Sequence, residues 1–349
     1  MAATTTLPSA ERLLDLVRRF AGQRVLMLAD MVADRFITGT PKRISREAPV
    51  LILRHESEVL TPGGGANAVA NVAALGGIPL PIGIVGDDAS GHALVDALAE
   101  RGARTEGILF RGGFRTPTKT RILGGGRHAI KQQIVRYDIE DHLEITTEEH
   151  RLIASLLDSW KGLTRTAVLS DYGYGTVEPS LLANVRECVG PSGVVLCDSR
   201  YRLAAFRGLD GATPNEEEAE TLAGHALGDA RDALARSGAE LRAKLGGSFL
   251  LVTRGSRGMA LFDGSGLAEI PVHGTDQVAD VTGAGDTVIG TFALALAAGA
   301  SPLEAALLAN YAGGVVVMKM GTATLTSSEL VAALESDPRP LAETRWAAS

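Results

Sequence analysis

Aromatic residues and cysteines are scarce in this sequence of 349 residues. Phe, Trp and Tyr together supply 4% of the residues, so the core must be built mainly from Ala, Val, Leu and Ile. The two cysteines, Cys188 and Cys197, form no CxxC pair and lack metal-ligand spacing. This arrangement argues against the common zinc motifs and indicates two structural thiols in a reducing compartment.

Long apolar runs and an excess of basic residues are also missing. The longest apolar runs, such as TFALALAAGA, are too short to span a bilayer, and the first twenty residues lack the apolar stretch of a signal peptide. The net charge of −7 argues against a nucleic-acid or anionic-membrane partner, although a local basic pocket for a small anion is compatible with it. These absences predict a cytoplasmic protein with no nucleic-acid and no membrane partner.

Short apolar segments alternate with Ala- and Leu-rich segments along the chain. The apolar segments predict strands at 24–30, 79–86, 166–172, 193–199 and 248–255. The segments between them predict helices at 66–76, 90–102, 147–160 and 215–224. Near-continuous apolar strands that alternate with helices are typical of an α/β fold, in which helices cover both faces of a mostly parallel sheet.

Two segments break this alternation. Residues 35–60 and 118–140 are strand-like and polar, and the second contains a glycine turn that favours a hairpin. Strands inserted in this way often cover a site, so we expect a small β lid. We expect one domain at 24–335, after an N-terminal helical extension at 1–23 and before a C-terminal tail at 336–349.

Polar residues stand where predicted strands end or where a following helix begins. They are Asp30, Asp171, Asp198, Asn215 and Thr253. Ligands of open parallel sheets bind at the carboxyl ends of the strands. Each of these residues alone fits an ordinary turn or helix cap equally well, but five of them at one edge favour a binding site.

The glycines of TPGGGANAVA admit more than one interpretation. Gly63, Gly65 and Ala68 follow the GxGxxA spacing of dinucleotide-binding loops, and Asp87 lies at a suitable distance. No convincing strand of a first βα unit precedes them, so the match is weak and a plain tight turn explains it as well.

A third interpretation of this segment is a contact with a small hydroxylated ligand. Gly64 and Gly65 would let the backbone approach such a ligand, and the Asn67 amide would donate to it and accept from it.

The segment DVTGAGDT places an acid directly after a glycine turn, at the start of an apolar helix. Gly283, Ala284 and Gly285 can direct successive backbone N–H groups into one concavity, which forms an anion hole. The position of Asp286 can then be explained by either of two roles for its carboxylate. It stabilises the helix dipole by about 0.3–1 kcal/mol, or it accepts the proton of an alcohol that attacks a phosphate held in the hole.

Together, DVTGAGDT and GGGAN resemble the two signatures of the ribokinase/PfkB carbohydrate kinases, and the resemblance covers about residues 24–330. It implies a ribokinase-like three-layer α/β/α sandwich with a mostly parallel sheet and a small β-strand lid. It also implies an ATP-dependent kinase for a sugar or sugar phosphate, with ATP and Mg²⁺ as cofactors and a homodimer formed through the lid strands. It leaves open whether a monovalent cation such as K⁺ is needed.

The resemblance also assigns roles to single residues. Asp286 matches the general base, and Gly283, Ala284 and Gly285 match the anion hole. Residues assigned to the nucleotide and Mg²⁺ are Asn215, Glu218, Thr253, Gly255, Gly258, Thr282 and Asn310, with Glu218 and Asp198 as candidate metal ligands. Residues assigned to the sugar or its phosphate are Asp30, Asp34, Gly64, Gly65, Asn67, Lys119, Arg121, Arg136 and Asp171. For the three cations among them, the alternative is a solvated strand face.

Within the family, segments such as ADMVADRF, SDYGYG and TPNEEE look most like kinases of D-glycero-β-D-manno-heptose 7-phosphate. At this length, the resemblance implies a stand-alone kinase without a nucleotidyltransferase domain. Two departures concern the acceptor: Tyr174 replaces a lysine of that pattern, and Ser199–Arg200 replaces Pro–Lys. Another sugar, a nucleotide-dependent dehydrogenase and a non-catalytic sugar-binding protein are the alternatives.

Overall fold

The computed structural model describes residues 7–126, 131–274 and 279–348. The strands in these ranges are β1 (Arg24–Ala29), β2 (Met31–Ile44), β3 (Leu51–Gly64), β4 (Ile78–Gly86), β5 (Ile108–Arg111), β6 (Thr118–Gly124), β7 (Gln132–Ile139), β8 (Thr166–Asp171), β9 (Val194–Ser199), β10 (Gly211–Ala212), β11 (Phe249–Thr253), β12 (Met259–Asp263), β13 (Gly266–Ile270) and β14 (Arg345–Ala348). The helices are α1 (Ala10–Arg18), α2 (Gly65–Ala74), α3 (Ala89–Glu100), α4 (Thr147–Ser159), α5 (Leu182–Val189), α6 (Glu216–Ala223), α7 (Arg231–Leu245), α8 (Ala284–Ala297), α9 (Pro302–Val316), α10 (Ser327–Ser336) and α11 (Arg339–Ala342).

Ten of these strands form one sheet, in the order β5-β4-β1-β8-β9-β10-β11-β12-β13-β14. Neighbouring strands from β5 to β11 run parallel, and β12, β13 and β14 extend the sheet with antiparallel pairs. The central strands are buried on both faces, as their continuous apolar sequences predict. The mostly parallel sheet is therefore confirmed.

Helices pack against both faces of this sheet and form two cores. One core takes apolar side chains from α1, α2, α3, α8, α9 and α10, and the other takes them from α4, α5 and α7. Helix α8 is apolar around nearly its whole circumference and lies between the sheet, α2 and α9. Small residues allow this close packing, since a Cβ on Gly290 would lie 3.1 Å from the Ala68 carbonyl oxygen. The three-layer α/β/α sandwich is confirmed.

The predicted lid is a separate four-stranded sheet in the order β3-β2-β6-β7. Strand β1 runs into β2 with only Asp30 between them, and β3 runs into α2 without a loop. Strands β6 and β7 form the predicted hairpin, whose turn at 127–130 lies outside the described residues. The lid is thus joined to the main body at the edge where the polar strand ends were predicted to meet.

The two ends of the described chain pack on the main body. Leu13 and Leu16 of α1 are buried in the core that contains α10, in the segment predicted as an N-terminal extension. Strand β14, in the segment predicted as a tail, pairs with β13. In the described ranges, no helix has both the length and the hydrophobicity to cross a bilayer.

Candidate active site

Asp286 lies in the first turn of α8 and is 2% exposed. The helix begins after Gly283, whose φ of 79° is in the left-handed region that favours glycine. N–H groups of a first helical turn lack acceptors within the helix, so this terminus can bind an anion. A Cβ on Gly285 would meet no atom within 4 Å, so the terminus opens onto free space beside the carboxylate. An open helix N-terminus is compatible with the predicted anion hole, whose role stays a prediction.

Two side chains hold the Asp286 carboxylate, one at each oxygen. The Asn67 amide, on α2, donates to Oδ2 at 3.1 Å and also lies 3.3 Å from the Gly283 carbonyl oxygen. The Tyr172 hydroxyl, on the loop after β8, donates to Oδ1 at 2.6 Å. Asn67 was predicted as a sugar contact, whereas Tyr172 was not predicted at all. Only its position directly after the strand-end residue Asp171 could have suggested it.

Burial makes Asp286 a weaker acid than an ordinary aspartic acid. Removal from water raises its pKa to about 7, while the hydrogen bonds from Tyr172 and Asn67 act in the opposite direction. Nearby Asp34 raises the pKa further and Lys119 lowers it. A carboxylate that titrates near neutral pH suits general-base work, because it can both accept and release a proton there.

The lid presents a row of charged side chains to the site. Register pairs Asp34 of β2 with Lys119 of β6, and alternation places Arg121 on the same face of the lid. Arg121 donates to Asp34 Oδ1 at 2.6 Å in a nearly buried ion pair. The Lys119 ammonium lies 5.3 Å from the centre of the Tyr172 ring. Arg136, opposite Arg121 on β7, is exposed and pairs with Asp138.

The three glycines at the junction of β3 and α2 are needed for close packing. A Cβ on Gly63 would lie 2.7 Å from the Asp34 carboxylate, and one on Gly65 would lie 2.7 Å from the Asp30 carbonyl oxygen. Gly64 has a φ of 50° and faces the side chains of Val32 and Tyr172. These positions let β3 turn into α2 directly beside the β1–β2 junction. Their predicted contact with a sugar stays a prediction.

Asp30, a predicted sugar contact, holds the loop that carries Tyr172. It is fully buried, and its carboxylate accepts hydrogen bonds of 2.9–3.0 Å from the backbone N–H groups of Tyr172, Tyr174 and Thr176. Burial nevertheless raises the pKa of the Asp30 carboxyl. The role that the structure gives Asp30 is to order this loop, and a contact with a ligand stays a prediction.

Asp171, a second predicted sugar contact, is the centre of a buried polar cluster. It accepts hydrogen bonds from the Ser199 hydroxyl at 2.6 Å and from the Arg202 guanidinium at 2.7 Å. The Gly173 N–H donates to the same carboxylate at 3.1 Å. These contacts link the ends of β8 and β9. Its predicted contact with a sugar hydroxyl remains untested.

Asp198 and Glu218 lie at the sheet edge near Asp286 and supply further negative charge. Burial raises the pKa of both carboxyls. The negative charges of Glu218 and Asp286 raise the pKa of Asp198 further. Glu218 forms a reciprocal capping box with Asn215 at the start of α6. Within the described ranges, no three His, Cys, Asp or Glu residues form a metal cage. Two carboxylates do fit Mg²⁺ that is held mainly by phosphates and water.

The other residues assigned to the nucleotide lie on several elements. Thr253, at the end of β11, makes an isolated bridge with Asn215. A Cβ on Gly258 would lie 2.0 Å from the Ile270 carbonyl oxygen, so this turn requires glycine. Asn310, buried on α9, donates to the Pro271 carbonyl oxygen at 2.9 Å.

Gly255 and Thr282 are the last two residues assigned to the nucleotide. Gly255 has a φ of 56°, and a Cβ there would meet no atom within 4 Å. The Thr282 N–H donates to the Asp280 carboxylate at 2.9 Å, which shapes the turn before α8. The nucleotide roles of the whole set remain predictions.

Comparison with known proteins identifies the family to which this arrangement belongs. Residues 35–329 match the pfkB family carbohydrate kinases. The chain belongs to this family. It is therefore a carbohydrate kinase, a phosphotransferase that acts on a sugar.

Relatives of this pfkB kinase include larger proteins. The chain is 40% identical over 341 residues to the bifunctional protein HldE of Mesorhizobium japonicum, covering 96% of this chain and 66% of that protein. It is 37% identical to the bifunctional protein HldE of Desulfatibacillum aliphaticivorans, covering 92% of this chain and 65% of that protein. The chain thus spans slightly less than two thirds of these relatives.

Solved structures show the same fold. Escherichia coli phosphofructokinase-2 in complex with substrates and products superposes with a TM-score of 0.71 at 19% identity, over 90% of this chain and 99% of that one. Arabidopsis thaliana ribokinase with ribose and ATP superposes with a TM-score of 0.68 at 20% identity, over 91% and 100%.

The dehydrogenase interpretation of the pfkB kinase is wrong. Gly63 and Gly65 do not lie in the first βα turn of the parallel sheet, because Gly63 belongs to the antiparallel lid strand β3 and Gly65 begins α2 directly after it. Asp87 follows β4 on the surface and contacts His92. The match in spacing was coincidental, since these glycines serve the close packing at the root of the lid.

The two departures in this pfkB kinase lie at the rim of the site. The Tyr174 hydroxyl contacts Glu140 at 3.3 Å, at the end of the lid hairpin. Arg200 is exposed, and its positive charge influences Lys119, Tyr172 and Glu218. The cation predicted from Arg200 therefore acts on residues of the site through its charge, while Tyr174 offers a neutral hydroxyl in place of a lysine.

Proposed function

We propose that this kinase transfers the γ-phosphoryl group of ATP to a hydroxyl of a sugar phosphate, with Asp286 as the general base. The observation that carries the proposal is a buried carboxylate, fixed at both oxygens, beside the open N-terminus of α8. In the step, the acceptor oxygen bonds to the γ-phosphorus as its proton passes to Asp286. The bond to the bridging oxygen breaks, and ADP leaves.

The N-terminus of α8 would stabilise the negative charge on the transferred group. Its backbone N–H groups are fixed before the reaction, so they need no reorganisation as charge develops. Mg²⁺ bound with the ATP phosphates would neutralise further charge, and Asp198 and Glu218 would hold it, through water as well as directly. The untested nucleotide and metal roles belong to this proposal.

We infer that the acceptor carries a phosphate, because cations gather beside the base. Arg136 and Arg200 lie close enough to Lys119 for their charges to lower its pKa, which is lowered chiefly by burial. Three cations around a partly buried site favour an anionic ligand. D-glycero-β-D-manno-heptose 7-phosphate is the proposed acceptor and the 1,7-bisphosphate the product. The support is the sequence resemblance and the similarity to proteins named HldE.

The acceptor is tested by ADP release with heptose 7-phosphate, fructose 6-phosphate and free sugars. We expect turnover on heptose 7-phosphate, and in Lys119→Met a KM for that acceptor at least ten-fold higher, because the substitution removes a charge-assisted contact. Lys161→Met is the matched control, since Lys161 pairs with Asp158 and Glu187 on the outer surface. Turnover of free sugars alone, with Lys119→Met unaffected, would refute an anionic acceptor.

The lid surface supports a homodimer, which we propose as the state in solution. In the antiparallel pair of β6 and β7, Val135 lies opposite Ile122 and Tyr137 lies opposite Thr120. These side chains are on the face of the lid that points away from Lys119 and Arg121. Val135 is 47% exposed and Tyr137 is 61% exposed. Apolar side chains on the exposed face of a small sheet are typical of an interface.

A charge on this face is expected to separate the subunits. Tyr137→Asp should convert the dimer to a monomer in light scattering, because an unpaired charge would be buried in the interface. Leu152→Asp, an equally drastic change at an exposed position of α4, should leave the dimer intact. A wild-type protein that is monomeric at micromolar concentration would contradict the proposal.

A further inference from the structure

The hydroxyl of Tyr172 makes the shorter of the two side-chain hydrogen bonds to the Asp286 carboxylate. At 2.6 Å, its bond to Asp286 Oδ1 is in the short range of charge-assisted hydrogen bonds. We propose that Tyr172 is a positioning residue for phosphoryl transfer, whose hydroxyl fixes the plane of the Asp286 carboxylate and favours its ionised form. This inference rests on the proposed role of Asp286 as the general base.

The surroundings of Tyr172 fix its hydroxyl in advance. Its backbone N–H, and those of Tyr174 and Thr176, donate to the buried Asp30 carboxylate, which orders the whole loop. A Cβ on Gly64 would lie 3.4 Å from the Tyr172 ring, so the ring is in close contact with the root of the lid. A side chain whose backbone and ring are both held loses little further entropy when it makes this bond.

The second donor to the base is oriented in a similar way. Asn71, one turn further along α2, donates to Asn67 Oδ1 at 3.2 Å and to the Asn67 carbonyl oxygen at 3.0 Å. The bond to Oδ1 turns the NH₂ group of Asn67 toward Asp286. Each carboxylate oxygen therefore has one fixed donor, and its remaining lone pair is available to the acceptor hydroxyl.

Tyr172 acts as a hydrogen-bond donor and does not itself carry the acceptor's proton. Burial and the negative charges of Asp286 and Asp198 raise the pKa of the Tyr172 hydroxyl well above its usual range. Its proton therefore stays on the phenol while Asp286 gains the proton of the sugar. Other charged groups that act on Asp286 are Asp34 on β2, Lys119 on β6 and Asp198 on β9.

The test is Tyr172→Phe, which keeps the ring and removes only the hydroxyl. Losing a donor to the charged form should move the acid limb of kcat/KM, expected near pH 7 from Asp286, upward by about one to two pH units. Activity at about pH 7 should fall about ten-fold or more and recover in large part at about pH 9. Tyr311→Phe is the control, because it removes an equally buried tyrosine hydroxyl that donates to the Asp337 carbonyl oxygen instead of to the base.

A second measurement needs no acceptor. The pKa of Asp286 is higher in the folded protein than its unfolded value of about 4, so its contribution to stability falls as pH rises through that window. The Tyr172 donor offsets part of this loss once Asp286 is ionised. The decrease in Tm caused by Tyr172→Phe should therefore grow by a few degrees between about pH 6 and about pH 9.

Asp286→Asn distinguishes a failure of the role proposed for Tyr172 from a failure of the proposed function. In this background, the effect of Tyr172→Phe on Tm should no longer depend on pH. A pH-independent loss of activity or stability in the single Tyr172 variant would show that the hydroxyl only packs, and would overturn the inference while leaving the base in place. An active Asp286→Asn enzyme would instead overturn the proposed function.

Discussion

Asp286→Asn is expected to lower kcat by about 100- to 10,000-fold, which is the usual contribution of a positioned general base. The asparagine is nearly isosteric and can still be held in the first turn of α8, but it cannot accept the proton of the acceptor hydroxyl. The Kd of Mg–ATP should change by less than about three-fold, since the backbone N–H groups remain in place. Coupled ADP release and fluorescence titration with a labelled nucleotide measure the two effects.

A matched control for this variant is Asp263→Asn. Asp263 shapes the exposed turn between β12 and β13, where it accepts from the Ser265 N–H at 2.7 Å. That substitution removes one carboxylate and should leave kcat within about two-fold of the wild type. Near-normal turnover in Asp286→Asn would exclude Asp286 as the base, whatever the acceptor.

Gly283→Ala is expected to produce the second largest loss, about 100-fold or more in kcat. The added Cβ would lie 2.4 Å from Asn67 Nδ2 at a residue whose φ is 79°. Both the Asn67 amide and the N-terminus of α8 would have to move, and a misplacement of about 1 Å at a reacting centre costs about this much. Steady-state kinetics with saturating Mg–ATP measure the loss.

Gly299→Ala is the control that distinguishes the effect of backbone strain from the effect of the collision with Asn67. Gly299 follows the other end of α8 with a φ of 89°, and a Cβ there would meet no atom within 4 Å. The substitution should destabilise the fold by about 1–2 kcal/mol, the usual penalty of a left-handed conformation, and leave kcat nearly unchanged. An equal loss of kcat in both variants would mean that the strain, rather than the displaced Asn67, disables the enzyme.

Much of the fold follows from the sequence because its pattern is local. The strand predicted at 24–30 is observed at 24–29, and the helix predicted at 66–76 is observed at 65–74. The start of α8 also follows from local sequence, since the glycine turn at Gly283 and the acid at Asp286 are neighbours in the chain. Such features depend on neighbours in the chain, which periodicity and turn chemistry reveal.

Contacts between distant segments could not be predicted in the same way. The sequence marks Asp30 and Asp171 because both stand at strand ends, but it does not show that their carboxylates accept hydrogen bonds from the Tyr172 N–H and the Ser199 hydroxyl. Tyr172 carries no motif, and its importance comes from a bond to a residue 114 positions away. Sequence alone marks which polar groups are present at an edge, whereas their partners depend on how the strands are arranged.

The continuous passage from β1 into β2 restricts how the chain can vary in length. Asp34 and Phe36 face the site while Arg35 and Ile37 face away, because successive side chains of a strand alternate. Removing or adding one residue beside Asp30 would exchange these two sets, so the lid would present isoleucine to the substrate and aspartate to the outer surface. We therefore expect insertions to be tolerated between β2 and β3, around 45–50, and excluded at the root of the lid beside Asp30.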